Sequence, residues 1–131
     1  MKTLLTTGLL LLAHAVHATP LELTGQFAGV IWSAGVLVPS TTTFVQIDSR
    51  HAYGHYQMQT HEGLVSGQLY ECTGLRPKFW RCIWSDQYGV GTLELELSSD
   101  GANFVGEWRS SSHPHSQVGM DWTGKRVSST P

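Results

Sequence analysis

The chain has 131 residues, a length that predicts a single domain. Eight basic residues are scattered among ten acidic ones, and the net charge is −2 with neutral histidines. Proteins that bind nucleic acid or an anionic membrane surface need a concentrated positive field. The composition therefore argues against both kinds of partner.

The first 18 residues have the layout of a secretory signal peptide. Lys2 supplies a positive charge, an apolar run covers residues 4–12, and small residues gather before Ala18. The apolar run is too short to anchor the chain stably in a bilayer. We expect cleavage after Ala18, or alternatively after Ala15. The product would be a secreted or periplasmic domain of residues 19–131 with no membrane association.

The rest of the chain alternates between apolar and polar residues in short segments separated by Gly, Pro, Asn, Asp and Ser. The clearest alternation covers residues 92–97, with three leucines on one face and two glutamates on the other. A Ser-Ser-Asp-Gly turn sequence connects this segment to residues 103–109, which predicts a hairpin. The predicted strands are residues 21–27, 30–38, 41–48, 51–60, 64–72, 79–86, 92–97, 103–109 and 119–127.

Eight or nine short strands with brief connections predict an all-β fold, an antiparallel up-and-down meander. Closure into a small barrel would remove the exposed strand edges, and a partly open or sandwiched sheet is the alternative. A glycine precedes a large side chain by two positions at Gly25, Gly54, Gly67 and Gly106. Each glycine is expected to leave a notch in which a ring from a neighbouring strand can lie.

The two cysteines are Cys72 and Cys82. In an exported protein the expected state is one disulfide, and the intervening Gly74 and Pro77 predict that it clamps a hairpin. A redox-active dithiol is the less favoured interpretation, because no Cys-x-x-Cys begins a helix that would lower a thiol pKa.

Two segments resemble known families. Residues 89–108 contain Gly89-Val-Gly91, the turn Asp100-Gly101 and the strand sequence Phe-x-Gly-x-Trp ending at Trp108, an order that resembles one unit of the MORN repeat family. That resemblance implies a scaffold or binding role. The start of the meander, Leu-Thr-Gly-Gln-Phe, is similar to avidin-type and lipocalin-type barrels, which implies a small molecule bound in the barrel mouth.

Histidines are the first candidates for a metal site. His51 and His55 would stand about 13 Å apart on one strand, too far to share an ion, so this face and His61 are interpreted as polar and solvated. His113 and His115 are the better candidates, since two ligands could converge from one loop, although a polar serine-rich loop is the favoured interpretation. We expect neither a metal nor a cofactor.

Aromatic residues are the strongest sign of a binding surface. Residues 79–84 read Phe-Trp-Arg-Cys-Ile-Trp and are apolar on both faces. One face can line the core, and the other is covered by the chain itself or by a partner. If the disulfide joins facing strands, Tyr70 and Cys72 lie on the side of Cys82. The predicted partner or ligand patch is aromatic with one arginine: Tyr70, Trp80, Arg81 and Trp84.

The functional hypotheses are ranked by these patterns. The sequence has no nucleophile elbow, phosphate-binding glycine loop or zinc-protease motif, so a non-enzymatic protein is favoured. The leading hypothesis is an exported domain that binds an unknown protein or ligand through the aromatic patch. The alternative is a barrel that binds a small molecule in its mouth, and a small hydrolase or metal-binding protein comes last.

Overall fold

The computed structural model describes residues 22–113 and 118–131. These residues form eight strands: β1 Gly25–Ser33, β2 Val36–Gln46, β3 His51–Thr60, β4 Gly63–Arg76, β5 Phe79–Asp86, β6 Gly89–Leu97, β7 Asn103–Ser110 and β8 Met120–Ser128. Each strand pairs antiparallel with its neighbour in the chain, and β1 pairs with β8. The predicted all-β meander is confirmed, and it closes into a barrel.

The predicted signal peptide, residues 1–18, lies outside the described residues. Within the described ranges, no helix has the length and apolar character needed to cross a membrane.

The first two strands differ from their predicted boundaries. The sequence predicts three strands between residues 21 and 48, whereas the structure has two strands after Thr24, joined at Ala34 and Gly35. Both turn residues have positive φ, 50° and 82°, as a two-residue type I′ hairpin turn requires. Ala34 is an unusual residue for that position, so the sequence pattern did not reveal the turn. Pro39, which falls between the predicted strands 30–38 and 41–48, lies within β2 opposite Val30.

One end of the barrel interior is filled by phenylalanine rings. Phe27, Phe44 and Phe104 are at most 1% exposed and pack edge to face, with ring centroids 5.2 to 5.9 Å apart. Leu23, which precedes β1, is fully buried against the same core. This end therefore has the dense packing of an ordinary protein interior.

Arg126 of β8 closes the same end. Its guanidinium lies 4.6 Å from the centroid of the Phe27 ring. It donates hydrogen bonds to the backbone carbonyls of Thr24 at 2.6 Å and Gly101 at 2.9 Å, and also to that of Glu22. Arg126 thus ties the segment before β1 and the β6–β7 connection to the last strand.

The predicted disulfide joins Cys72 of β4 to Cys82 of β5, and both residues are buried inside the barrel. This confirms the hairpin clamp and is consistent with an oxidising compartment. The strand pairing is irregular just before Cys72, where Glu71 has a positive φ of 49°. Because of this bulge Cys72 points inward while Tyr70 is exposed, so the expectation that both share one face is wrong.

We expect removal of the disulfide to lower the free energy of unfolding by about 2–3 kcal/mol, because its ten-residue separation restricts the unfolded chain. The double variant Cys72→Ala, Cys82→Ala should show this loss in chemical denaturation. A reducing agent should destabilise the unsubstituted protein similarly and leave the double variant unchanged. Equal stability of the two proteins would contradict the clamp.

Candidate ligand-binding site

The barrel end opposite Arg126 opens into a cavity of about 270 Å³. Five strands and two turns contribute to its wall, and most of that wall is aromatic. The lining residues are Ile31, Trp32, Ser33, Ala34, Tyr56, Met58, Trp84, Asp86, Tyr88, Trp108 and Trp122. A largely apolar cavity with few polar groups is the usual form of a small-molecule site.

Strand alternation and glycine together place the rings. Tyr56 on β3 lies opposite Gly67 on β4, and a Cβ atom at Gly67 would overlap the tyrosine ring. Trp84 on β5 lies opposite Gly91, where an added Cβ would come within 2.7 Å of the indole. The predicted glycine notch is therefore present at Gly67. Each ring lies against the wall where a larger residue would push it into the cavity.

Hydrogen bonds hold three of the indole rings. Trp122 is buried and Trp108 is half-buried at the rim, and the Trp84 and Trp108 rings pack edge to face at 5.4 Å. The Tyr56 and Trp122 rings make a second such pair at 4.6 Å. The indole N–H of Trp84 donates to the carbonyl of Arg109 at 3.2 Å. That of Trp108 donates to the carbonyl of Trp32 at 3.0 Å, and that of Trp122 donates to the Thr42 hydroxyl at 3.0 Å. These hydrogen bonds fix the orientation of three of the rings that line the cavity.

Asp86 supplies the charge of the site. The Tyr56 hydroxyl donates to its Oδ2 at 2.6 Å, and the backbone N–H of Tyr88 donates to its Oδ1 at 2.8 Å. Burial and then the bond to Asp86 raise the pKa of Tyr56 well above its ordinary value, so the proton stays on the phenol. Each oxygen of the Asp86 carboxylate has a second lone pair that can accept a further hydrogen bond.

A second carboxylate lies at the rim. The Tyr88 hydroxyl donates to Glu62 Oε2 at 3.2 Å, so this ring links the β5–β6 turn to the β3–β4 turn. Across the two described ranges, Asp86 has no Lys, Arg or His nitrogen within 4.0 Å of its carboxylate. The open end is therefore aromatic and negatively charged.

The four residues of the predicted patch lie in three places. Trp84 lines the open cavity, while Trp80, also buried inside the barrel, borders a cleft at the closed end beside Arg76 and Lys78. Tyr70 is 38% exposed on the outer surface, and Arg81, also outside, pairs with Glu94 at 2.9 Å. The structure therefore does not bring these four side chains into one surface.

The histidines of β3 lie on the outer surface, where His51 and His55 are exposed. His51 Nδ1 is 2.9 Å from Asp48 Oδ1. In residues 22–113 and 118–131, no three His, Cys, Asp or Glu side chains form a group that could hold a metal ion. His115 lies outside the described residues, so the pair His113 and His115 stays a prediction.

Sequence reasoning missed most of this site. Of the residues that line the cavity, the predicted patch contains only Trp84, and it lacks Tyr56, Asp86, Trp108 and Trp122. The available signal was that Tyr56, Trp84 and Trp108 occupy inward positions of alternating strands. That these positions converge on one cavity can be deduced only once the strand register is known.

No protein-family model, curated protein or solved structure matches this chain. The resemblances to MORN repeats and to avidin-type and lipocalin-type barrels therefore stay predictions.

We expect Tyr56→Phe to remove the alkaline sensitivity that Tyr56 confers. An unfolded tyrosine ionises near pH 10, whereas buried Tyr56 stays protonated, so its stabilising contribution is complete below pH 10 and is lost as pH rises further. Between pH 9 and 11 the unsubstituted protein should lose about 1.4 kcal/mol more unfolding free energy than the variant.

Urea denaturation of both proteins at the two pH values measures this difference, and titration of the other groups cancels. Parallel losses in the two proteins would show that the Tyr56 proton is not held by burial and Asp86.

Proposed function

We propose that this protein is a non-enzymatic binding protein that holds a small, partly aromatic molecule in the open end of its barrel. This is the second of the three sequence-based hypotheses. The observation that carries it is the ring-lined cavity of about 270 Å³. It is proposed without a catalytic step, since the titratable side chains among the described lining residues are Asp86 and two tyrosines.

The volume indicates the size of the ligand. An apolar cavity of about 150 Å³ holds one benzene molecule. The cavity here therefore has room for a molecule of roughly one to two rings. Stacked or edge-to-face contact with indole and phenol rings would favour a flat, partly aromatic molecule.

The contrast between the two barrel ends supports a binding role over simple core packing. At the closed end, phenylalanine rings and Arg126 fill the interior, and the cleft bordered by Trp80 is lined mostly by polar and charged residues. At the open end the small residues Ser33 and Ala34 stand at the rim, and a cavity remains between the rings that line it. An unfilled apolar cavity costs free energy that a larger rim residue would recover, so the cavity is the feature to be explained by binding.

Partner binding through the predicted patch has less support. Trp80 and Trp84 are 4% and 5% exposed inside the barrel. A protein partner could reach both only if they left the interior, and exposing two such side chains would cost several kcal/mol.

We expect the protein to bind the neutral probe 2-phenylethanol in the cavity, with a dissociation constant on the order of 1 mM, as suits a fragment of this size. Ser33→Phe should weaken binding at least tenfold by filling the rim. Ala28→Phe, which adds the same ring at an exposed position of β1, should bind normally. Titrations followed by calorimetry or tryptophan fluorescence measure these affinities.

Native mass spectrometry of freshly purified protein would reveal a natural ligand retained in the cavity. Two results would show that the mouth is not the binding site. One is that none of 2-phenylethanol, 2-phenylethylammonium and phenylacetate binds. The other is that both phenylalanine variants bind 2-phenylethanol as tightly as the unsubstituted protein.

We also propose that the chain is exported, as the predicted leader and the disulfide support. Expression of the full sequence in a secreting host should yield a protein that begins at Thr19, or at Val16 for the alternative cleavage site. Intact-mass analysis measures this, and a soluble product that retains Met1 or Lys2 would contradict the proposal.

A further inference from the structure

We infer that the ligand of this cavity is an organic cation, with its positive group beside Asp86 and its apolar part against the rings. This inference rests on the proposed function and names the chemical class of the molecule bound. It follows from three observations: the bonding of Asp86, the chemistry of the walls and the charges at the rim.

Hydrogen bonds fix the position of the Asp86 carboxylate, but no ion pair among the described residues balances its negative charge. Tyr56 and the backbone of Tyr88 each donate one hydrogen bond to it, at 2.6 and 2.8 Å. Both donors are neutral, and in the part of the chain that the structure describes no basic side chain forms an ion pair with Asp86. A half-buried carboxylate of this kind is stabilised by a cation that arrives with the ligand.

The walls suit the same cation. The face of an aromatic ring carries a negative quadrupole, and ammonium groups bind over indole most strongly. Trp84, Trp108 and Trp122 line the cavity with their N–H groups already bonded to protein acceptors. Their remaining interaction with a ligand is through ring faces and edges, which favours a cation or an apolar group over a hydrogen-bond acceptor.

The rim repeats the negative charge. The described turn residues at this end are 34–35, 61–62, 87–88, 111–113 and 118–119; they contain one carboxylate, Glu62, and two histidines, His61 and His113, but no Lys or Arg. Arg109, whose carbonyl accepts from Trp84, is paired through its guanidinium with Glu107 at 3.3 Å. An anionic ligand would therefore approach two carboxylates, whereas a cation would be attracted.

Three soluble probes of one shape test the inference: 2-phenylethylammonium, 2-phenylethanol and phenylacetate, which are cationic, neutral and anionic. Calorimetric titration at 0.15 M salt limits long-range attraction, so that the comparison reports the local site. The unsubstituted protein should bind the ammonium about tenfold or more tightly than the alcohol, and phenylacetate most weakly.

Asp86→Asn should bring the affinity for the ammonium within about twofold of that for the alcohol. Asp121→Asn is the matched control, since it makes the same change at an exposed position of β8 and should keep the tenfold preference. Loss of the preference in both variants would overturn the assignment to Asp86.

Equal binding of alcohol and ammonium by the unsubstituted protein would overturn the cation inference and leave the proposed function standing. Failure of all three probes to bind would instead overturn the proposed function. If Asp86→Asn does not fold, the ratio measured on the unsubstituted protein still decides the cation inference.

Discussion

Pairing between the first and last strands is the interaction on which the rest of the structure depends. Backbone partners run from Gln26 with Ser128 to Ile31 with Trp122, and this seam uses the two edges that the meander would otherwise expose. The last pair of the seam, Ile31 and Trp122, lines the open cavity. At the other end the same pairing brings Arg126 to the carbonyls that precede β1. Without closure there would be neither a sealed end nor a cavity.

Glycines face aromatic residues across strands at both ends of the barrel, and the polar atoms of the rings explain why one end is full and the other open. At the closed end Phe44 lies opposite both Gly25 and Gly54, and the three phenylalanine rings meet in the middle. At the open end Tyr56 and Trp84 also face glycines, but hydrogen bonds at their polar atoms hold them against the wall. Phenylalanine has no polar atom that a hydrogen bond could hold, so its rings pack in the centre of the barrel. The Tyr and Trp rings are held by hydrogen bonds against the barrel wall and leave space between them.

Several features of the fold were predictable because they depend on local pattern. The two-residue alternation of 92–97 predicts a strand with one solvent-exposed face. This segment lies within β6, and its leucines are buried. The cysteine spacing predicts the clamped hairpin. The turn at Ala34 and the bulge at Glu71 were not predictable, since each requires a positive φ at a residue that rarely adopts one. The bulge matters most for the site, because it separates Tyr70 from the face of Cys72 and so divides the predicted patch.

The sequence by itself determined the fold class, the disulfide and an interior rich in aromatic residues, because strand periodicity, cysteine count and composition act locally along the chain. Only the tertiary structure decided which aromatic residues meet and where the charge lies among them. The bond between Tyr56 and Asp86 joins residues 30 positions apart on β3 and β5, and that between Trp122 and Thr42 spans 80 positions. Such contacts depend on strand register and barrel closure, which are set by the fit of all eight strands together and not by any single segment.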